Sequence, residues 1–209
     1  MQWPAKDRWI KVCLHAGIDK PLTGWYERLT AAYSEPQRHY HTQQHIAECL
    51  AVLDQSRDLA RQPVAVELAL WFHDAVYDPK LSDNEDKSAD LADQCLAESN
   101  GSAELRASVH RLVMATKNHE ANGDPDAELV INIDLSILGQ SEQRFLEYET
   151  QIRKEYAWVP AQAFSNKRAE ILERFLARER IFTLKWFWPR YEQQARQNLR
   201  TSIQTLRRT

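Results

Sequence analysis

An all-helical fold is what this sequence predicts, and three observations predict it. Apolar residues recur at spacings of three and four along nearly the whole chain. No stretch of useful length alternates apolar and polar residues as a half-buried strand does. Prolines stand where helices can open or stop, outside the periodic runs. With 209 residues, 43% of them hydrophobic, the chain can bury a substantial core. No Pro-, Gly- or Ser-rich linker divides it, so a single domain over 1–209 is expected.

The elements follow in order. Trp9, Val12 and Cys13 share a helical face near the start. A second helix covers Thr23 to Tyr33, with Trp25 and Leu29 four apart, and Pro36 interrupts it. From about His41 to Leu59, Ile46, Leu50 and Leu53 recur at helical spacing. Pro63 can open the next helix, on which Val66, Ala69, Leu70, His73 and Tyr77 form one stripe. That segment, VAVELALWFHDAVY, is apolar almost all round and is expected at the centre of the fold. A polar loop from Asp78 to Asn84 precedes a helix beginning near Glu85, with Leu91 and Cys95 inward.

Another helix spans about Ala103 to Thr116, followed by the turn-rich KNHEANGDPD. Ile131, Leu135 and Leu138 mark a short apolar helix capped by Gly139. The C-terminal third predicts three more helices, the last two starting near Pro160 and Pro189. The aromatic run Ile181 to Trp188 is expected as core or as an oligomer contact.

Several function classes fall away. The net charge of −3 gives no general nucleic-acid footprint. The five glycines are unclustered, so no glycine-rich phosphate loop or dinucleotide turn is present. Cys13, Cys49 and Cys95 are far apart and contain no CxxC; reduced thiols are expected rather than a disulfide framework or a cysteine zinc site. No run of about 18 apolar residues suggests a membrane partner, and the N-terminal stretch lacks a signal-peptide apolar region. A cytoplasmic location is the expectation.

Three polar clusters interrupt the apolar helices. His41 and His45 lie four apart, a spacing that puts both on one face if both are helical. His73-Asp74 sits within the most apolar stretch, and Asp134 within VINIDLSIL. Each alone has an ordinary reading, as a surface histidine, a core His–Asp pair or a helix cap. Together they place carboxylates and imidazoles where burial demands a compensating cation. Mixed imidazole and carboxylate ligands suit Mn, Fe, Co, Ni or Zn, with Mg also admitted. Adjacent residues on a helix point about 100° apart, so His73 and Asp74 meet one ion edge-on or address two.

The order H…HD…D, set in RHYHTQQHI, LALWFHDAVYD, NEDKSA, IDLSILG and IRKEYAWV, resembles the HD superfamily of metal-dependent phosphohydrolases. Within it, the chain looks like a bacterial group of predicted HD phosphohydrolases without an assigned substrate. The resemblance runs from about Arg38 to Asn198 and implies an HD-domain-like helical bundle. It implies His45, His73, Asp74 and Asp134 as ligands of one or two divalent ions. Tyr40-His41, with His45 beyond, is also similar to the Tyr-His-Asn-x-x-His element of cyclic-nucleotide phosphodiesterases, which implies His41 as general acid. Thr42 stands where those enzymes have Asn.

His119 and His110 occupy the interval in which some HD enzymes recruit second-metal ligands; His119 is taken as the candidate. Glu85 is a candidate second carboxylate near the metal, and Arg38, Lys87 and Arg153 are candidate phosphate contacts. The activity expected is hydrolysis of a phosphate ester or anhydride of a nucleotide or related small molecule. The rival expectations are an HD-type di-iron oxygenase and a non-catalytic nucleotide-binding module. A homo-oligomer is compatible with all three.

Overall fold

The computed structural model describes residues 6–18 and 23–208, and those residues are helical with no strand. The α-helices are α1 (Lys6–His15), α2 (Thr23–Ala32), α3 (Gln43–Ser56), α4 (Pro63–Phe72), α5 (Asn84–Glu98), α6 (Ala103–Asn118), α7 (Pro125–Asp134), α8 (Glu142–Glu155), α9 (Ala161–Ala177) and α10 (Gln193–Leu206). No helix of the described residues is long and apolar enough to cross a membrane. Two compact units divide between Ile133 and Asp134, inside the last turn of α7 and without any linker.

In the first unit α4 is central. Every residue from Ala65 to Phe72 is buried, because its apolar residues surround the helix rather than forming one stripe. It packs on α6, α3, α5 and α1. Trp9 of α1 meets Trp71 edge-on at 5.4 Å and Phe72 at 5.9 Å, an aromatic geometry that adds to area burial. Full burial of each such side chain contributes about 1.5–3 kcal/mol. Glu67 is the exception in this helix, 3% exposed, and its carboxylate is neutralised by Arg8 at 2.8 Å and Arg57 at 2.7 Å.

Helix starts obey local chemistry. Thr42, Ser102 and Ser141 accept at their hydroxyls from backbone N–H groups in the first turns of α3, α6 and α8. Before α4, the buried Asp126 carboxylate accepts from the N–H groups of Arg61 at 2.7 Å and Gln62 at 2.9 Å. Pro63 opens α4, as the sequence predicts.

The second unit holds a 3-10 turn (Leu135–Gly139), α8, α9, a π-helical turn (Trp188–Glu192) and α10. Pro160 is the N-cap of α9, and Pro189 lies in the π turn that runs into α10. From the aromatic run, Ile181, Phe182 and Phe187 are buried, and the two Phe rings stack at 5.9 Å. The core reading of that run therefore holds for these three side chains. Gly139 has a different reason from the expected cap. A Cβ there would lie 2.6 Å from the Tyr191 backbone carbonyl, so glycine is required by close approach rather than by a left-handed φ.

Candidate metal centre

Two expectations about local structure change here. His41 precedes α3: Thr42 is its N-cap, in extended conformation at φ −117° and ψ −179°. His41 and His45 therefore do not share a helix face, although their rings still approach to 6.2 Å. His73-Asp74 is not mid-helix either. α4 ends at Phe72, His73 is its C-cap, and the Ala75 N–H closes a tight turn on the Phe72 carbonyl at 2.8 Å. The turn is held by α5. Ser88 Oγ accepts from the Val76 N–H at 3.0 Å, and the Asn84 side chain brackets the Asp78 backbone N–H and carbonyl.

This exit from the helix removes the divergence of neighbouring side chains. Asp74 Oδ2 lies 3.1 Å from His73 Nε2 and 3.4 Å from His45 Nε2, and the two Nε2 atoms are 3.1 Å apart. Both imidazoles are buried, His45 at 2% and His73 at 1% exposure. Their other nitrogens are already committed. His73 Nδ1 faces the Leu70 carbonyl at 3.1 Å. A carbonyl only accepts, so Nδ1 carries the proton and Nε2 presents a lone pair. Tyr40 Oη is 3.0 Å from His45 Nδ1 and similarly orients that ring.

With Tyr40 donating to His45 Nδ1, the two Nε2 atoms share a proton at 3.1 Å; with Tyr40 accepting, both turn lone pairs to a common cation. Ligand atoms about 2.0–2.1 Å from a common ion are about 3.0 Å apart at octahedral and about 3.4 Å apart at tetrahedral angles. The three observed separations fall in that interval. Cys49 also borders the imidazole pair, its Sγ 3.8 Å from His45 Nε2, and with His45 and His73 it belongs to a group that could hold a metal ion. Asp134 is carried by the end of α7. Asp74 and Cys49 thus each add a donor beside the two imidazoles. Cys49 was not a candidate ligand from sequence; its signal is the spacing of four from His45 on α3.

Charge follows the geometry. Burial opposes ionisation of Asp74, but the neighbouring His73, His41 and His45 outweigh it and hold the carboxyl well below the usual range. Glu85 is half-buried at the start of α5. Burial, with the Asp74 charge nearby, pushes its carboxyl up. His41 stacks on Tyr77 at 4.1 Å between centroids and contacts Tyr40 edge-on at 4.9 Å, which fixes its ring plane beside the imidazole pair.

Arg38 is close by but committed to the protein. It donates from Nε to Glu35 at 2.9 Å, from one terminal nitrogen to the His41 and Asp74 carbonyls at 3.1 and 2.6 Å, and from the other to the Ala75 carbonyl at 3.0 Å. Its side chain is 0% exposed and lies over the Tyr33 and Tyr77 rings, which leaves no route to a phosphate. Lys87 is exposed and pairs with Asp83 at 2.9 Å. Lys117, absent from the candidates that the sequence offers, binds Asp86 at 2.5 Å and acts electrostatically on Glu85.

The remaining candidates have other local settings. His119 is the left-handed C-cap of α6 at φ 53°, and among the described residues it is not in the metal-binding group. His110 is partly buried on α6, 3.8 Å from Asp90. In the second unit, Arg153 donates to the Tyr156 and Val159 carbonyls and lies over Phe164.

Neither a family model, nor a curated protein, nor a solved structure matches this chain.

Proposed function

We propose that the chain is a metal-dependent phosphohydrolase of the HD superfamily, acting on a phosphate ester or anhydride of a nucleotide or related small molecule. The observation that carries this reading is the convergence of His45 Nε2, His73 Nε2 and Asp74 Oδ2 at 3.1–3.4 Å, with the His73 tautomer set by Leu70. His45, His73, Asp74 and Asp134 would hold a divalent cation, and imidazole with carboxylate favours Mn, Fe, Co, Ni or Zn. When bound, such an ion supplies an activated water and a Lewis acid for a phosphoryl oxygen.

The chain's own residues supply the rest. His41, held flat against Tyr77, donates a proton to the leaving oxygen. Glu85, with its raised carboxyl, orients water by hydrogen bonding. Arg38 is a positioning residue, fixing the His41 segment against the Asp74 turn. Lys87 and Lys117 meet the phosphate; their surface carboxylate pairs contribute little and exchange readily. A second ion, and with it the di-iron oxygenase reading, would need ligands beyond the group described, for which His119 is the candidate that the sequence offers.

The test is a panel of phosphate esters and anhydrides offered to purified protein with Mn, Co, Ni, Mg or Zn. Metal-dependent hydrolysis is expected, with loss of both metal and turnover in Asp74→Ala while helicity is retained. Full metal occupancy in that variant would sink the ligand assignment. A metal-loaded protein inert across the panel would sink the phosphohydrolase reading.

A further inference from the structure

We infer that Cys49 is a ligand of the metal centre, and that its sulfur makes the centre select Zn, Fe or Co over Mg and Mn. The inference rests on the metal-site reading above and deepens it. Cys49 is buried at 2% exposure and stands one helical turn after His45 on α3, facing the same side. Its Sγ is 3.7 Å from His45 Nδ1 and 3.8 Å from His45 Nε2, and it lies within 4.8 Å of a ring nitrogen of His73.

Ligands at about 2.3 Å for sulfur and 2.0–2.1 Å for nitrogen are separated by about 3.1–3.6 Å around one ion. The observed gap exceeds that by a few tenths of an ångström, which a small side-chain rotation closes. On binding, the thiol proton leaves to solvent and the thiolate joins the coordination shell. Soft thiolate discriminates against the hard ions that all-oxygen sites prefer. The two imidazoles and this sulfur would be the donors that the ion shares on this side of the centre.

Cobalt(II) reports on this directly, because a cobalt–thiolate bond gives a near-ultraviolet charge-transfer band that imidazole and carboxylate do not. Full-length protein loaded with Co(II) should show that band, and Cys49→Ala should lose it while keeping visible cobalt absorption. In metal competition, Cys49→Ala should lose Zn affinity by about 10–100-fold and Mn affinity much less. Cobalt bound to wild type without the thiolate band would overturn the inference and leave the metal site standing. A band that persists in Cys49→Ala would assign the sulfur to another cysteine and overturn it equally. If wild type binds no metal, the reading on which the inference rests fails with it. The wild-type spectrum decides even where the variant does not fold.

Discussion

At the scale of single residues, the proposed function divides the labour between His41 and His45. His45 is buried with Nε2 in the imidazole pair, whereas His41 is outside that pair and stacked on Tyr77. His45→Ala should abolish metal binding. His41→Ala should keep the metal and lose turnover by about 10²–10⁴-fold, the usual contribution of a general acid. The defect should shrink for a nitrophenyl ester, whose leaving anion needs no proton. An equal defect on both substrates would make His41 a positioning group, and loss of metal would make it a ligand. Arg38 is tested by stability. Arg38→Ala strands three carbonyls in a dry environment and should cost about 3–5 kcal/mol by urea unfolding. Arg38→Lys should recover little, because one ammonium cannot reproduce a planar fork. A loss under about 1 kcal/mol for either would show that the clasp is dispensable.

At the scale of elements, α4 depends on a residue far along the chain. Asp126→Ala leaves the Arg61 and Gln62 N–H groups without their carboxylate and should destabilise by about 1–3 kcal/mol, with Asp126→Asn less affected. In the second unit, Gly139→Ala should cost about 1–3 kcal/mol, because its methyl group meets Tyr191 backbone. An unchanged melting temperature in Gly139→Ala would show that the contact relaxes freely.

These two positions also show what could be read without coordinates. Helical periodicity placed the core of α4, Pro63 marked its start, and the residue types of the imidazole–carboxylate cluster stood out against apolar neighbours. The end of α4 was not legible, because no glycine or proline follows Phe72 directly. Bonds from Ser88 and Asn84, more than ten residues away, terminate it. His41 was misplaced on a helix because spacing alone cannot reveal that Thr42 takes the N-cap conformation. Cys49 was read as a reduced thiol, because a buried cysteine without a CxxC partner packs as an ordinary small apolar residue.

At the scale of the whole molecule, the division into two units was invisible in composition, since it falls within a helix rather than a linker. Metal binding should be visible at this scale as linkage. A ligand bound only by the native state at 100 times its Kd adds about 2.7 kcal/mol. For a chain of this length each kcal/mol moves the melting temperature by about 2–4 °C. Thorough chelation should therefore lower Tm by several degrees, and added Zn or Co should restore it. Identical melting with and without chelator would show that native and unfolded chains hold the ion equally or not at all.

The Arg38 clasp has a consequence for how relatives of this chain would be found. Its guanidinium reaches carbonyls 36 and 37 residues away, so the gap between the His41 segment and the Asp74 turn is set across space by one planar group. The number of residues joining them along α3 and α4 is then free to drift over evolutionary time. What cannot drift is the local ruler on each side: Arg, then His at three and at seven residues on, and separately the adjacent His-Asp pair. A pattern that fixes those two rulers and leaves the interval open should recover diverged copies that whole-chain comparison passes over. Because the arginine grips main-chain carbonyls, chains recovered in that way should keep it even where the first histidine is replaced.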